Sequence, residues 1–315
     1  MKILAGSVLS FALATAACGD DGTGQHIGGP DASTGDQDAA TNSNADAAPN
    51  AVPIFTELWY SVDDRLVRIV LDATNGAVVE FTETMVAGLP VGQNGLTMLD
   101  DGSLLGARLS DADDLTYFYH IATPPRDGGA VSPVSLGTMA DDLMLEGLYT
   151  DCDGRVYGMD TGTDTSSSDG NRLLRFTADY LAGDFTYQVV SDLSSATVAD
   201  IDDMGPAIVD NVIKDNPGLA IDSGTVYDFN YETGTGTESG SGGTWGIHAL
   251  GKELFTDSIA RLYVLNSGGQ LFEMNPSNYN LSSALGTGPT DVTGYAGWSG
   301  LTGPLTECDS GFVID

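Results

Sequence analysis

The fold is decided by the stretch Gly95-Leu96-Thr97-Met98-Leu99-Asp100-Asp101-Gly102-Ser103-Leu104-Leu105-Gly106. The same pattern returns in Gly147–Gly158 and again in Gly218–Tyr227. Each copy predicts a strand, a tight turn with Asp-Gly or Ser-Gly, and a second strand, because the glycine supplies the positive φ that the turn requires. A fourth copy, Ile259–Met274, keeps the outer part of the pattern. Similarity within a chain at a period of about 50 residues indicates a domain built from repeats.

A second pair of apolar segments follows most of these hairpins. Leu173–Phe176, for example, precedes Phe185–Val190. Four strands in each unit are typical of a β-propeller blade. The pattern fails in Ser191–Asn216 and in the Gly/Ser/Thr-rich run Thr233–Thr244, where we expect a degenerate blade or long loops. The predicted number of blades is therefore five or six.

The two ends of the domain complement each other. The segment Ser299–Phe312 resembles the beginning of a unit that is never finished, and Leu58–Val62 resembles a unit without its beginning. A blade assembled from both would close the ring and leave no open sheet edge. We therefore expect residues 53–315 to form an all-β propeller, closed by pairing of its N- and C-terminal strands. A β-sandwich of similar length is the structural alternative, although it would share the short strands and not the repeat.

The N-terminus has the features of an export signal. Lys2 is followed by the apolar stretch Ile3–Ala17, which is too short to span a bilayer as a mature helix. The small residues before Cys18 resemble the lipobox of bacterial lipoproteins, although Thr15 stands where that family usually has Leu. The resemblance implies a lipoprotein signal peptide over residues 1–17 and lipidation of Cys18.

Residues 18–52 are expected to form a disordered acidic linker behind the lipidated cysteine. From Gly19 to Asn50 the chain contains no Leu, Val, Phe, Tyr, Lys or Arg, so it cannot bury enough apolar surface to offset its ordering entropy. About 30 flexible residues have a root-mean-square reach of about 30 Å. Because Gly19 follows Cys18, the lipoprotein resemblance implies anchoring at a Gram-negative outer membrane or cell surface, with the leaflet left open.

The charge of the chain restricts its partners. The formal net charge is −34, from 45 acidic and 11 basic residues. A field of this sign argues against binding to nucleic acid and against docking on anionic lipid. It favours solubility and the binding of cations.

The repeated motif Gly-Leu-x-x-Asp-x-x-Gly-x-Leu-Tyr-Gly, followed by Leu-x-Arg-Ile, is similar to NHL-like and lactonase-like β-propellers of exported bacterial proteins. Lactonase-like propellers hold a divalent metal with Glu, Asn and Asp side chains, and polar residues here are expected where the innermost strands begin. Such carboxylates and amides suit Ca²⁺, which takes oxygen ligands. The alternative is that they cap turns or line a water-filled channel. The candidate metal ligands are Asn94, Glu146, Asn216 and Glu253.

Cys152 and Cys308 are the only cysteines after Cys18. An even pair in an oxidising compartment favours a disulfide. Both lie in similar contexts, which suggests equivalent hairpin turns on one end of the ring. If the two blades are separated by another blade, however, the Cα atoms would be farther apart than the 7 Å that a disulfide allows. The sequence leaves the bridge open.

The sequence contains no recognisable catalytic motif. It has neither a Gly-x-Ser-x-Gly elbow nor a P-loop, and His120 and His248 stand alone. We therefore favour a membrane-anchored exported propeller lipoprotein that binds an unknown protein, peptide or glycan, and no nucleic acid. The alternative is a Ca²⁺-dependent lactonase-like hydrolase, so enzymatic activity is left open.

Overall fold

The computed structural model describes residues 55–88, 94–110, 115–139, 143, 145–160, 172–192, 201–222, 224–241, 246–290 and 299–310. All of them belong to one compact unit, Ala51–Asp315. The signal peptide and the linker, with Cys18, lie outside the described residues. None of the helical segments that are described has the length and apolar character needed to cross a bilayer.

The described residues form 21 strands and two short 3₁₀ segments, Tyr180–Ala182 and Lys252–Leu254. The strands are β1 (Glu57–Val62), β2 (Arg65–Leu71), β3 (Val78–Val86), β4 (Asn94–Met98), β5 (Leu104–Ser110), β6 (Leu115–Ile121), β7 (Gly129–Val131), β8 (Val134–Met139), β9 (Leu145–Thr150), β10 (Val156–Asp160), β11 (Arg172–Phe176), β12 (Tyr187–Asp192), β13 (Asp203–Val209), β14 (Val212–Asp222), β15 (Thr225–Asn230), β16 (Thr235–Ser241), β17 (Gly246–Leu250), β18 (Arg261–Leu265), β19 (Gln270–Met274), β20 (Gly286–Thr287) and β21 (Cys308–Asp309).

These strands form five sheets, which are the blades of a five-bladed β-propeller. Blade 1 has the order β1-β2-β3-β7, blade 2 β4-β5-β6-β8, blade 3 β9-β10-β11-β12, blade 4 β13-β14-β15-β16 and blade 5 β17-β18-β19-β20. The predicted all-β propeller is confirmed, and the number of blades is five. The region Ser191–Asn216 adds no sixth blade, because its described part supplies β13 and the beginning of β14, which both belong to blade 4.

The predicted turns have the expected backbone. Gly102 and Gly154 have φ values of 78° and 75°, and the N–H of each donates to the carbonyl three residues earlier. Both turns join the first strand of a blade to the second, β4 to β5 and β9 to β10. The third copy, Gly218–Tyr227, also forms a hairpin, but it joins β14 to β15, the second and third strands of blade 4. The innermost position in that blade is taken by β13, which has no Gly-Leu signature.

The ring is closed by residues 299–302, here called the closing segment. Trp59 in β1 and Thr302 exchange two backbone hydrogen bonds of 2.7 and 2.9 Å. The N–H of Ser299 donates to the carbonyl of Ser61 at 2.9 Å, and the Ser299 hydroxyl accepts the N–H of Ser61. The closing segment therefore lies inside β1 as the innermost strand of blade 1. This confirms the predicted pairing of the two ends of the domain.

The outermost strand of blade 1 comes from the connection between the third and fourth strands of blade 2, which the sequence did not predict. β7 follows β6 in the chain but pairs in parallel with β3, at the outer edge of blade 1. An ion-pair cluster holds this connection in place, because the buried carboxylate of Glu57 accepts from Arg68 at 2.5 Å and from Arg126 at 2.8 Å. The guanidinium of Arg126 also covers the ring of Phe55 at 4.0 Å.

Aromatic side chains fill the spaces between neighbouring blades. Phe118 of blade 2 stacks on Phe185, from the connection before the last strand of blade 3, with ring centroids 4.1 Å apart. Tyr149 of blade 3 stacks on Tyr231 of blade 4 at 4.9 Å. Such contacts add to the gain from burying apolar area. Aromatic layers between neighbouring blades therefore form part of the core.

Candidate functional site

Two of the four predicted metal ligands lie where the sequence placed them. Asn94 is the first residue of β4 and Glu146 is the second residue of β9, and both strands are innermost in their blades. Innermost strands of a propeller run in the same direction, so these two backbone positions share one end of the ring. The side chain of Asn94 lies outside the described part of the chain.

The other two predicted ligands lie elsewhere. Asn216 is inside β14, the second strand of blade 4, and Glu253 lies beyond the end of β17. Glu253 is therefore at the opposite end of the ring from Asn94 and Glu146. The expectation that all four converge is wrong for two of them. In blades 4 and 5 the innermost strands are β13 and β17, and neither carries the repeated Gly-Leu signature that located the strand starts.

Near the end of the ring that holds Glu253, Cys152 and Cys308 form a disulfide, with their Cα atoms 5.4 Å apart. The sequence left this bridge open, and the topology explains why it can form. Cys152 lies in the turn after β9, as expected, but Cys308 does not lie in a hairpin turn of blade 1. After the closing segment the chain crosses to blade 4, where β21 pairs in parallel with β14. Blade 4 is the neighbour of the blade that carries Cys152.

A buried carboxyl group lies beside this bridge. Asp215 is completely buried, and its carboxyl accepts the Tyr149 hydroxyl and, at 2.7 Å, the N–H of Cys152. Burial raises the pKa of Asp215 to about 7, and the neighbouring carboxylates Asp151 and Asp153 contribute in the same direction. Asp215 was not among the predicted metal ligands.

A second buried carboxyl joins three parts of the ring. Asp203, the first residue of β13, accepts the N–H groups of Ile247 in β17 and Leu301 in the closing segment, at 2.7 and 2.9 Å. Burial raises its pKa well above the usual value. A side chain at Gly300 would collide with the Asp203 carboxyl, so glycine is required there.

The histidines do not form a catalytic set within the described residues. His248 is buried in β17, where its ring hydrogen-bonds to the backbone of Gly303. Burial lowers the pKa of His248 to about 3, so the ring is neutral at physiological pH. His120 lies in β6, in another blade, and pairs with Leu105 across the sheet. Neither is placed to act as a general base with a neighbouring nucleophile.

A groove of about 570 Å³ lies between blades 4 and 5. Its floor contains the buried side chains of Leu262 and Met274, and its rim includes Ile259, which is 50% exposed. This volume falls within the range of about 300–1,000 Å³ for small-molecule sites, and the groove is largely open to solvent. The residues that line the groove are Ile208, Asn211, Ile259, Ala260, Leu262, Glu273, Met274, Asn275, Pro276, Asn280, Leu281 and Ser282.

The chain matches no protein-family model and no curated protein. Its similarities are to solved structures. A chain in the crystal structure of a nidogen–laminin complex has 11% identity over 78% of this chain and 97% of that chain, with a TM-score of 0.48. Selenomethionine-substituted virginiamycin B lyase from Staphylococcus aureus has 15% identity over 72% and 69%, with a TM-score of 0.36. The WD40 β-propeller domain of Doa1 has 13% identity over 76% and 85%, with a TM-score of 0.36.

Proposed function

We propose that this chain is an exported propeller that is held at an outer membrane or cell surface by a lipid on Cys18 and binds a basic partner in the groove between blades 4 and 5. The Cys152–Cys308 bridge supports export, because disulfides persist in oxidising compartments. The lipobox-like sequence before Cys18 supports the anchor. The ligand-binding part is carried by one observation, the apolar groove with polar groups at its rim.

The anchor is tested by labelling cells with palmitate. The wild-type chain should take up label and fractionate with membranes, whereas Cys18→Ser should take up none. Cys308→Ser is the matched control, since it removes a cysteine that the proposal does not lipidate, and it should label like the wild type. Equal labelling of the wild type and Cys18→Ser would contradict the anchor.

The chemistry of the partner follows from the groove and from the charge of the chain. Ile259 offers an exposed apolar contact, and Glu273 in the lining adds a carboxylate, which pairs with Arg261 at 3.0 Å. The domain around the groove carries a large excess of acidic residues. A field of this sign attracts cationic partners and repels anionic ones. The occupant that fits both features is an extended basic segment with an apolar side chain.

This binding is tested with two fluorescent peptides that each contain one leucine, one peptide rich in lysine and the other rich in glutamate. Fluorescence anisotropy should show binding of the lysine-rich peptide only. Ile259→Lys should raise its Kd by about tenfold or more, which corresponds to about 1.4 kcal/mol. Val79→Lys makes the same change at an exposed residue of blade 1 and should leave the Kd within about twofold. Equal effects of the two variants, or equal binding of the two peptides, would overturn the proposed groove.

The hydrolase alternative has no comparable support. Its four ligands were expected at one end of the ring, and Glu253 lies at the other end.

A further inference from the structure

The sulfur atoms of Cys152 and Cys308 and a carboxylate oxygen of Asp215 all lie within 4.8 Å of one another. Among the residues that the structure describes, no other group of three or more Cys, His, Asp or Glu side chains is so close. Tetrahedral zinc holds two thiolate sulfurs about 3.8 Å apart, given Zn–S bonds of about 2.3 Å. Because the two sulfur atoms are bonded to each other here, the distance that bears on a metal site is the one from either sulfur to the Asp215 carboxylate oxygen, which is within 4.8 Å.

Backbone contacts bring these three residues together in addition to the bond between the sulfur atoms. Cys308 is in β21, where it pairs with Ile213 of β14, and Asp215 is two residues further along β14. Cys152 is tied to the same strand, since its N–H donates to the Asp215 carboxyl. These contacts favour retention of the two thiols beside the carboxyl after the disulfide is cleaved.

Asp215 is completely buried, and in the oxidised structure its carboxyl accepts the Tyr149 hydroxyl and the Cys152 N–H. A buried carboxyl that carries a charge is normally paired with a base or coordinates a metal. The charged groups that act most strongly on Asp215 are instead two further carboxylates, Asp151 and Asp153. The Tyr149 hydroxyl and the Cys152 N–H hold the carboxyl in one orientation, as outer hydrogen bonds do for metal ligands.

We propose that Cys152, Cys308 and Asp215 form a binding site for a thiophilic divalent cation, Zn²⁺ in particular, when the disulfide is reduced. Two thiolates and one carboxylate provide three ligands, and water or another small ligand takes the fourth tetrahedral position. Both cysteines are partly exposed, so a reductant and a metal ion can reach them. In an oxidising compartment the two cysteines form the disulfide, and the site then binds no metal. This site is separate from the groove and does not depend on it.

The disulfide must be reduced before the metal can bind, so the reaction requires a reductant. A phosphine and water convert the disulfide into two thiols and a phosphine oxide, so that the disulfide is reduced by two electrons and the phosphorus is oxidised. Each thiol then loses its proton to the solvent when the metal binds, because the thiolate is the ligand. A dithiol can replace the phosphine, in which case it becomes a disulfide.

The test uses the full chain with Cys18→Ser, in which Cys152 and Cys308 are the only cysteines. The protein is reduced with a phosphine, freed of reductant without oxygen, and titrated with Co²⁺ as a spectroscopic substitute for Zn²⁺. We expect one Co²⁺ per reduced chain, with thiolate-to-cobalt charge-transfer absorption that Zn²⁺ abolishes. The oxidised chain should show no such absorption.

Asp215→Asn distinguishes a metal site with three protein ligands from binding of the metal by the two thiolates alone. The reduced variant should bind Co²⁺ at least about tenfold more weakly, because it loses a ligand. Asp153→Asn is the matched control, since it removes an exposed carboxylate from the same turn, and it should bind like the parent chain. Equal affinity of Asp215→Asn and the parent would overturn the proposal. Unfolding of the reduced, metal-free chain by circular dichroism would also overturn it, because the site depends on the sheet.

Discussion

At the scale of single residues, the carboxyl of Asp203 is the main polar contact among blade 4, blade 5 and the closing segment. Asp203→Ala would leave the N–H groups of Ile247 and Leu301 without this acceptor in a buried position. Each such loss costs about 1–3 kcal/mol, so we expect the free energy of unfolding to fall by about 2–5 kcal/mol in urea denaturation.

Asp203→Asn is the control for that change. Its side chain has the same shape and keeps a carbonyl acceptor, and the raised pKa of Asp203 shows that burial already disfavours the charged form. We expect it to be within about 1 kcal/mol of the wild type. If Asp203→Asn and Asp203→Ala lowered the free energy of unfolding equally, the two hydrogen bonds would not account for the stabilising effect of the Asp203 side chain.

His248 makes stability depend on pH. Its pKa is about 3 in the folded chain and about 6.5 in the unfolded chain, so the unfolded state binds more protons between these values. The contribution of His248 to stability is therefore complete above about pH 6.5 and is lost as the pH falls towards 3. We expect the free energy of unfolding of the wild type, relative to His248→Gln, to fall by about 1.4 kcal/mol per pH unit in this range. Parallel pH profiles of the two proteins would contradict the assignment.

At the scale of the strands, two turn glycines are needed for the conformation of the backbone. Gly154 has a positive φ, and a Cβ atom there would lie 2.6 Å from a carboxylate oxygen of Asp100, which is the end of an exposed side chain and can move away. Gly88 also has a positive φ, and a Cβ atom there would meet nothing within 4 Å. We expect Gly88→Ala and Gly154→Ala each to cost about 1–2 kcal/mol from the backbone. Thermal denaturation compares the two variants, and no loss of stability for either would be contrary to this reasoning.

The same elements show how far the sequence could predict the structure. The hairpins around Gly102 and Gly154 were predictable, because a tight turn leaves a local signature in glycine and aspartate. β13 was not predicted, because an innermost strand needs only apolar side chains that pack against its neighbours, and this requirement leaves no local signature. The parallel pairing of β7 with β3, and of β21 with β14, could not be predicted either, because both depend on contacts between distant parts of the chain.

The candidate sites were less predictable than the fold, for the same reason. Glu253 was assigned to the wrong end of the ring when one strand of blade 5 was missed. Asp203 and Asp215 have no local pattern that marks them as buried, and their environments are built by residues of other blades. The apolar groove likewise brings together residues of blades 4 and 5 that are far apart in sequence.

At the scale of the whole molecule, the Cys152–Cys308 bridge fastens the chain that follows the closing segment. The two cysteines are 156 residues apart, and a loop of this length is worth about 5 kcal/mol in the chain-entropy description of disulfides. We expect the double variant Cys152→Ser/Cys308→Ser to lose several kcal/mol of stability, up to that value. Amide hydrogen exchange should accelerate at Trp59 and Thr302 before it does in β10 and β11. Unchanged melting would mean that strand pairing alone holds the segment.

The pairing of Trp59 with Thr302 also has a consequence for the order in which the molecule is assembled. The partner of β1 is about 240 residues further along the chain, so β1 is among the first strands to be synthesised or exported and among the last to be completed. Until the closing segment arrives, the inner edge of β1 exposes unpaired N–H and C=O groups, which can pair with another chain. Chains that stall or are cut before Thr302 should therefore be the ones that aggregate.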